Sequence, residues 1–239
     1  MKKIWWFVIG IATIIIGLLI WRFFALAPVR AYAGEVEKIM KDSIELPAFN
    51  MEELDGQIVI WENAETNADK LQKRLEKINV SDNSDIRTLF TNTDNYFVRV
   101  KAGYNEISNI ALVKSVLEVS KIENISDPQI AKQEMLNVKS GLENLMNEKE
   151  NADIAIGPEF NDIENKTEKA FETYLETLEK AYEDALLGKD ISYINDFYVE
   201  FENTANEFIE QLKKSLQDTI KIRQELLEDI NSLKTKYII

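Results

Sequence analysis

Residues 158–212 read PEFNDIENKTEKAFETYLETLEKAYEDALLGKDISYINDFYVEFENTANEFIEQL. Phe160, Ile163, Thr167, Ala170, Tyr174, Leu178, Ala181 and Ala185 recur every three or four positions, the period of one helix face. Gly188 suits the end of that helix and Asp190 the start of the next. From there Ile191, Ile194, Tyr198, Phe201, Ala205, Phe208 and Leu212 step alternately by three and four, which is a heptad seam. A loop of about three residues makes the two helices antiparallel neighbours. The expected pairs are Ala185 with Ile194, Ala181 with Tyr198, Leu178 with Phe201, Tyr174 with Ala205 and Phe171 with Phe208. Small residues then face large ones, as a filled seam requires. The apolar rhythm slips near Leu216 and Ile220, as a stutter does, and resumes at Leu226, Ile230 and Leu233. The last helix should therefore reach about 45 residues, or roughly 70 Å.

Upstream, Ile107, Ile110, Ala111, Val113, Leu117 and Ile122 keep helical spacing beyond Gly103. Ser126-Asp127-Pro128 opens a further helix, with Ile130, Leu136, Val138, Leu142 and Leu145, to about Lys149. A second hairpin is expected over about 103–149, beside the one over 158–237, and the two together would make a four-helix bundle. A short helix is expected over Gly34–Leu46, before Pro47, and Met51–Asn79 reads mainly as helix. Two stretches stay open: 56–61 (Gly-Gln-Ile-Val-Ile-Trp) and 96–100 (Tyr-Phe-Val-Arg-Val) fit either strand or helix. Ser81-Asp82-Asn83-Ser84-Asp85 reads as a loop with a helix N-cap.

The first thirty residues are of another kind. After Met-Lys-Lys, an apolar run extends from Ile4 to Trp21 and then, past Arg22, to Ala27. About 18 apolar residues at roughly 1.5 Å each nearly match a hydrocarbon core of about 30 Å. Trp5 and Trp6 at one end and Trp21 at the other suit the two headgroup levels. In lipid such a segment must be helical, because every backbone group needs an internal partner. The alternative is a cleaved leader ending at Ala31-Tyr32-Ala33, although leader cores run only about 7–15 residues. Lys and Arg are nearly balanced across the span, so charge alone sets no orientation. The expectation is an N-terminus in the cytoplasm, a bilayer contact through residues 4–27 and a domain outside the cell membrane.

The chain of 239 residues carries 28 basic and 42 acidic side chains, for a net charge of −14. Four of the bases (Lys2, Lys3, Arg22, Arg30) precede Gly34, so the soluble part has 24 bases against 42 acids, about −18. That field repels nucleic acid and anionic headgroups. The chain has no Cys and no His, which excludes disulfides, Cys–His or Ser–His catalysis, and zinc or haem through those ligands. It holds neither a Gly-x-Gly-x-x-Gly nor a Gly-Lys-Ser/Thr phosphate loop. No enzymatic activity and no cofactor is expected.

Candidate sites follow from clustering. Phe171, Tyr174, Tyr182, Tyr193, Phe197, Tyr198 and Phe201 gather near the hairpin tip, where they line a ligand pocket or fill an ordinary core. Asp82, Asp85 and Asp94 lack the spacing of a calcium loop and suit caps and turns instead. Glu172 with Glu176 and Glu207 with Glu210 read as a solvated acidic face. Leu226, Ile230 and Leu233, with Ile238 and Ile239, outrun the preceding helix, so a protein partner, a second copy or the first helical segments must cover them. The sequence thus predicts an all-α protein: an N-terminal transmembrane helix (1–30), then an elongated antiparallel bundle with coiled-coil-like hairpins (31–239). The expected role is a protein-interaction or spacer module of the cell envelope, with a membrane-tethered sensor of small molecules as the alternative. The plan is similar to the periplasmic bundles of bacterial chemoreceptors, a likeness of architecture that implies no function.

Overall fold

The computed structural model describes residues 15–18, 20–78, 83–122, 128–152 and 156–237, and every regular element among them is helical. Six helices follow in order: α1 (Ala27–Asp42), α2 (Leu54–Leu75), α3 (Ser84–Ser120), α4 (Pro128–Ala152), α5 (Asn161–Leu186) and α6 (Ile194–Tyr237). Single 3-10 turns at Met51–Glu53 and Pro158–Phe160 lead into α2 and α5. Both ambiguous stretches are helix: 56–61 lies in α2 and 96–100 in α3. The reason is a continuous inward stripe. Leu54, Gln57, Trp61, Ala64, Ala68, Leu71 and Leu75 are all buried at helical spacing, which outweighs the local strand preference of Ile-Val-Ile-Trp. Likewise α3 starts at Ser84, at the N-cap expected within 81–85, and runs on past Gly103; Asn83 caps it by accepting from the N–H of Asp85 at 2.9 Å and of Ile86 at 3.3 Å. Ser81, Asp82, the Ser126-Asp127 cap, Trp5, Trp6 and Ile238-Ile239 lie outside the described residues.

One N-terminal helix, Ile15–Asp42, is long and apolar enough to cross a membrane. Its first part turns large apolar side chains outward: Leu18 is 60%, Trp21 70% and Phe24 70% exposed. Pro28 has no N–H to offer the carbonyl of Phe24, and the helix loosens into a turn at Leu26 before α1 continues. Arg30 spans this break. Its Nη2 donates to the Phe23 carbonyl at 2.6 Å, and its guanidinium lies 4.0 Å over the Phe23 ring. The expected boundary at residue 30 thus falls inside α1, where Val29 and Tyr32 are already buried.

The chain packs as two compact units, each drawn from separated segments. Unit one comprises Met1–Glu45, Asn63–Arg99 and Ile220–Ile239. Its buried apolar residues include Val36, Ile39 and Met40 of α1, Leu71 and Leu75 of α2, Ile86, Leu89, Tyr96 and Phe97 of α3, and Leu226 and Ile230 of α6. Ion pairs and hydrogen bonds tie α6 to the other helices here. Lys234 Nζ meets Glu37 Oε2 at 2.8 Å, Arg223 Nε reaches Ser43 Oγ at 3.4 Å, and Arg30 Nη1 donates to the Tyr237 carbonyl at 3.0 Å. This corrects the reading of Leu226, Ile230 and Leu233 as a partner surface. Leu226 is 2% and Ile230 0% exposed, Leu233 is half-buried, and segments of this chain already cover them.

Unit two comprises Leu46–Glu62 and Val100–Thr219. Its entry strap is held by Gln57, whose Nε2 donates to the Ala48 carbonyl at 2.9 Å and whose Oε1 accepts from the Asn50 N–H at 3.2 Å. Gly103 sits against the buried Trp61 indole so closely that a methyl group there would overlap the ring. Along α6 the expected seam is inward: Ile194, Phe201, Ala205, Phe208 and Leu212 are buried. The slip near Leu216 is filled by two small polar residues on the same face. Ser215 donates to the buried Glu106 Oε1 at 2.9 Å, and Thr219 to the Ser215 carbonyl at 3.0 Å.

Candidate functional site

The aromatic cluster is built by α5, α6 and the connection between them, against the end of α3. Tyr174 (1% exposed) and Phe201 (2%) belong to the core of unit two, and Phe171, Tyr182, Tyr193, Phe197 and Tyr198 pack against it half-buried. The rings of Phe171 and Phe201 lie 5.2 Å apart, Tyr174 and Tyr198 5.8 Å, and Tyr174 and Phe201 5.9 Å. These partners sit about two turns nearer the connection than the expected Phe171–Phe208 and Tyr174–Ala205. The connection is longer than expected, spanning 187–193, and it folds back with Ile191 buried. Gly188, at φ 67°, ends α5: its N–H reaches the Ala185 carbonyl at 3.1 Å, and the Lys189 N–H reaches Asp184 at 2.9 Å. Asp190 then accepts from the Ser192 N–H at 2.9 Å.

Three of the tyrosine hydroxyls, those of Tyr174, Tyr193 and Tyr198, are occupied. Tyr174 donates to the Ser120 carbonyl, and Tyr198 donates to the Leu117 carbonyl at 3.4 Å. Both are carbonyls of the last turn of α3, which lack partners within their helix. Tyr193 donates to Asp184 Oδ2 at 2.9 Å. Burial raises the Tyr174 phenol pKa well above its ordinary value, and burial followed by the Asp184 carboxylate pushes Tyr193 up to about 12. The cluster therefore packs a core and satisfies a helix end. Only Phe171 and Phe201 among its members also line a trough.

That trough, about 310 Å³, runs between α3, α5 and α6 of unit two. Leu112, Val113, Val116, Phe171 and Leu175 form its half-buried apolar floor. Glu164, Glu168 and Glu172, each one turn of α5 from the next, form one rim. The sequence signal for it existed, since the three carboxylates recur at i, i+4 and i+8. The sequence reading singled out Glu172 with Glu176 instead, and nothing in a periodicity shows that α3 leaves this face of α5 open. Tyr182 lines a separate hollow between α4 and α5 with Met135, Leu136 and Leu186.

The expected acidic positions serve as ties. Asp85 accepts from Lys236 Nζ and from Tyr237 Oη, both at 2.6 Å, and these bonds hold its carboxyl below the ordinary range. Asp94 lies in α3, not in a turn, and accepts from Gln72 Nε2 at 2.6 Å. Among the described residues no group of three or more acidic side chains is arranged to hold a metal ion. Compared with known protein families, curated proteins and solved structures, the chain matches none.

Proposed function

We propose that this chain is a single-pass membrane-anchored protein whose acidic helical domain lies outside the cell and binds or spaces other envelope proteins without catalysing a reaction. The observation that carries the reading is the outward-facing apolar stretch of Ile15–Asp42 continuing directly into the packed helix α1. Exposed Leu18, Trp21 and Phe24 beside an acidic, well-packed body suit a lipid environment at that end alone. Within the domain, α5 and α6 form an antiparallel hairpin with a coiled-coil-like seam. Support comes from partners that run in opposite order: Lys166 with Glu207, Thr167 with Thr204, Phe171 with Phe201 and Tyr174 with Tyr198. We read α3 and α4 as a second pair, with Gly141 close against Val119.

The test is protease treatment of intact cells expressing the protein with a tag after Ile239. Loss of the tag without lysis is expected. Protection until lysis would overturn the outside placement, and recovery of the whole chain in the aqueous phase of a detergent partition would overturn the anchor. The trough beside Phe171 and Phe201 favours a second reading, a membrane-tethered solute-binding bundle. A ligand-induced rise in melting temperature would promote it.

A further inference from the structure

The trough on unit two joins an apolar floor to a one-sided acidic rim. Its floor residues Leu112, Val113, Val116, Phe171 and Leu175 are partly buried, four of them packed against the core of unit two, and the trough they line stays open on one side. Apolar residues scattered singly over a surface are ordinary; here five line one open trough beside a row of carboxylates. We propose that this trough docks a short amphipathic helix of another protein, apolar along one stripe and basic along the adjoining edge. The proposal rests on the protein-interaction reading above and names its site and the chemistry of its partner.

Length and charge both fit. Asn109 to Val116 on α3 and Glu164 to Leu175 on α5 extend about 10–16 Å along their axes at about 1.5 Å per residue. An i, i+3, i+4, i+7 stripe covers about 10 Å, the reach of a helix seated in a groove. Glu164, Glu168 and Glu172 stand about 6 Å apart along one edge, so Lys or Arg at every fourth position of a docked helix meets a carboxylate each turn. The volume of about 310 Å³ lies at the lower edge of pockets for drug-sized ligands, and its open side suits inserted side chains better than an engulfed molecule. Three carboxylates on the rim disfavour an anionic lipid, and the net charge of −14 disfavours a second copy of this chain. Charge complementarity therefore selects a basic, apolar-striped helix.

The experiment uses the full chain in phosphatidylcholine nanodiscs and a fluorescein-labelled peptide of about fourteen residues. Its leucines follow the i, i+3, i+4, i+7 stripe and its other positions are Lys or Gln. A scrambled peptide of the same composition is the control, and empty nanodiscs give the background. The patterned peptide should bind saturably and about tenfold tighter than the scrambled one. The triple variant Glu164→Gln, Glu168→Gln, Glu172→Gln, which leaves the floor intact, should weaken it by about tenfold. Leu112→Gln should weaken it as well while circular dichroism stays unchanged. Equal binding of the scrambled peptide, or no binding to the wild type, overturns the proposal. Patterned binding that the triple variant leaves unchanged also overturns the trough, yet leaves the protein-interaction reading standing on another face. The protease experiment fails independently of all three.

Discussion

Tyr174 shows how one side chain satisfies two demands. Its ring fills the core of unit two, and its hydroxyl supplies a partner to the Ser120 carbonyl at the end of α3. Tyr174→Phe keeps the ring and leaves that carbonyl in a dry site, which should cost about 1–3 kcal/mol, read as a lower midpoint in urea. An unchanged midpoint would mean that water reaches Ser120. The aromatic seam was legible from spacing as core; the target of the hydroxyl was not, because Ser120 is remote in sequence. Asp85 makes a second prediction. Hydrogen bonds from Lys236 and Tyr237 depress its folded pKa. A depressed carboxyl stabilises above its unfolded value near about 3.9 and loses that contribution as pH falls through the folded value. Asp85→Asn should therefore melt slightly below wild type at neutral pH, with the gap closing as the pH is lowered from about 4. The effect is small because the pair is partly solvated, with the Lys236 side chain 59% exposed.

At the scale of elements, two glycines inside helices separate local propensity from packing. Gly56 lies exposed in α2 with open space where a methyl group would go. Gly56→Ala should raise stability by about 0.5–1 kcal/mol, because alanine is the better helix former. Gly103 has the same helical backbone, but the Trp61 indole occupies its side-chain position. Gly103→Ala should destabilise, since the overlap with a fully buried ring outweighs the propensity gain. Thermal melts of the two variants should move in opposite directions; a shared rise would mean that Trp61 relocates freely. The contrast explains one misreading. A glycine that makes room for a distant tryptophan shows nothing of that role in the sequence, so the expected hairpin begins only near Gly103 although α3 runs through it. The stutter near Leu216 has a similar origin. Counting apolar residues alone passes over Ser215 and Thr219, whose hydroxyls find buried acceptors and keep the inward face continuous. The length of α6 was legible, at 44 residues against about 45 expected. The partners across it were displaced because the connection 187–193 is longer than a tight loop and turns back on α5.

For the molecule as a whole, the all-helical class and the apolar N-terminal helix were plain from periodicity and composition. The division into two units was not, since each is assembled from segments far apart in the chain and no linker composition marks a border. The burial of Ile230 provides the check. Ile230→Ala in the isolated protein should cost about 2–5 kcal/mol, as expected of a core cavity, and lower the melting midpoint. A surface waiting for a partner would leave the melt unmoved.

Unit one carries a consequence for biosynthesis. Arg30 and Lys234 belong to the same unit, and Arg30 is bonded to Tyr237, 207 positions further along the chain. A chain leaving the ribosome at about 5–20 residues per second must hold α1 without its α6 neighbour until α6 has been made. Until then Val36, Ile39 and Met40 lack part of the burial that the folded unit gives them. A nascent chain stalled before Ile220 should accordingly show α1 open to protease, and synthesis through Tyr237 should close it.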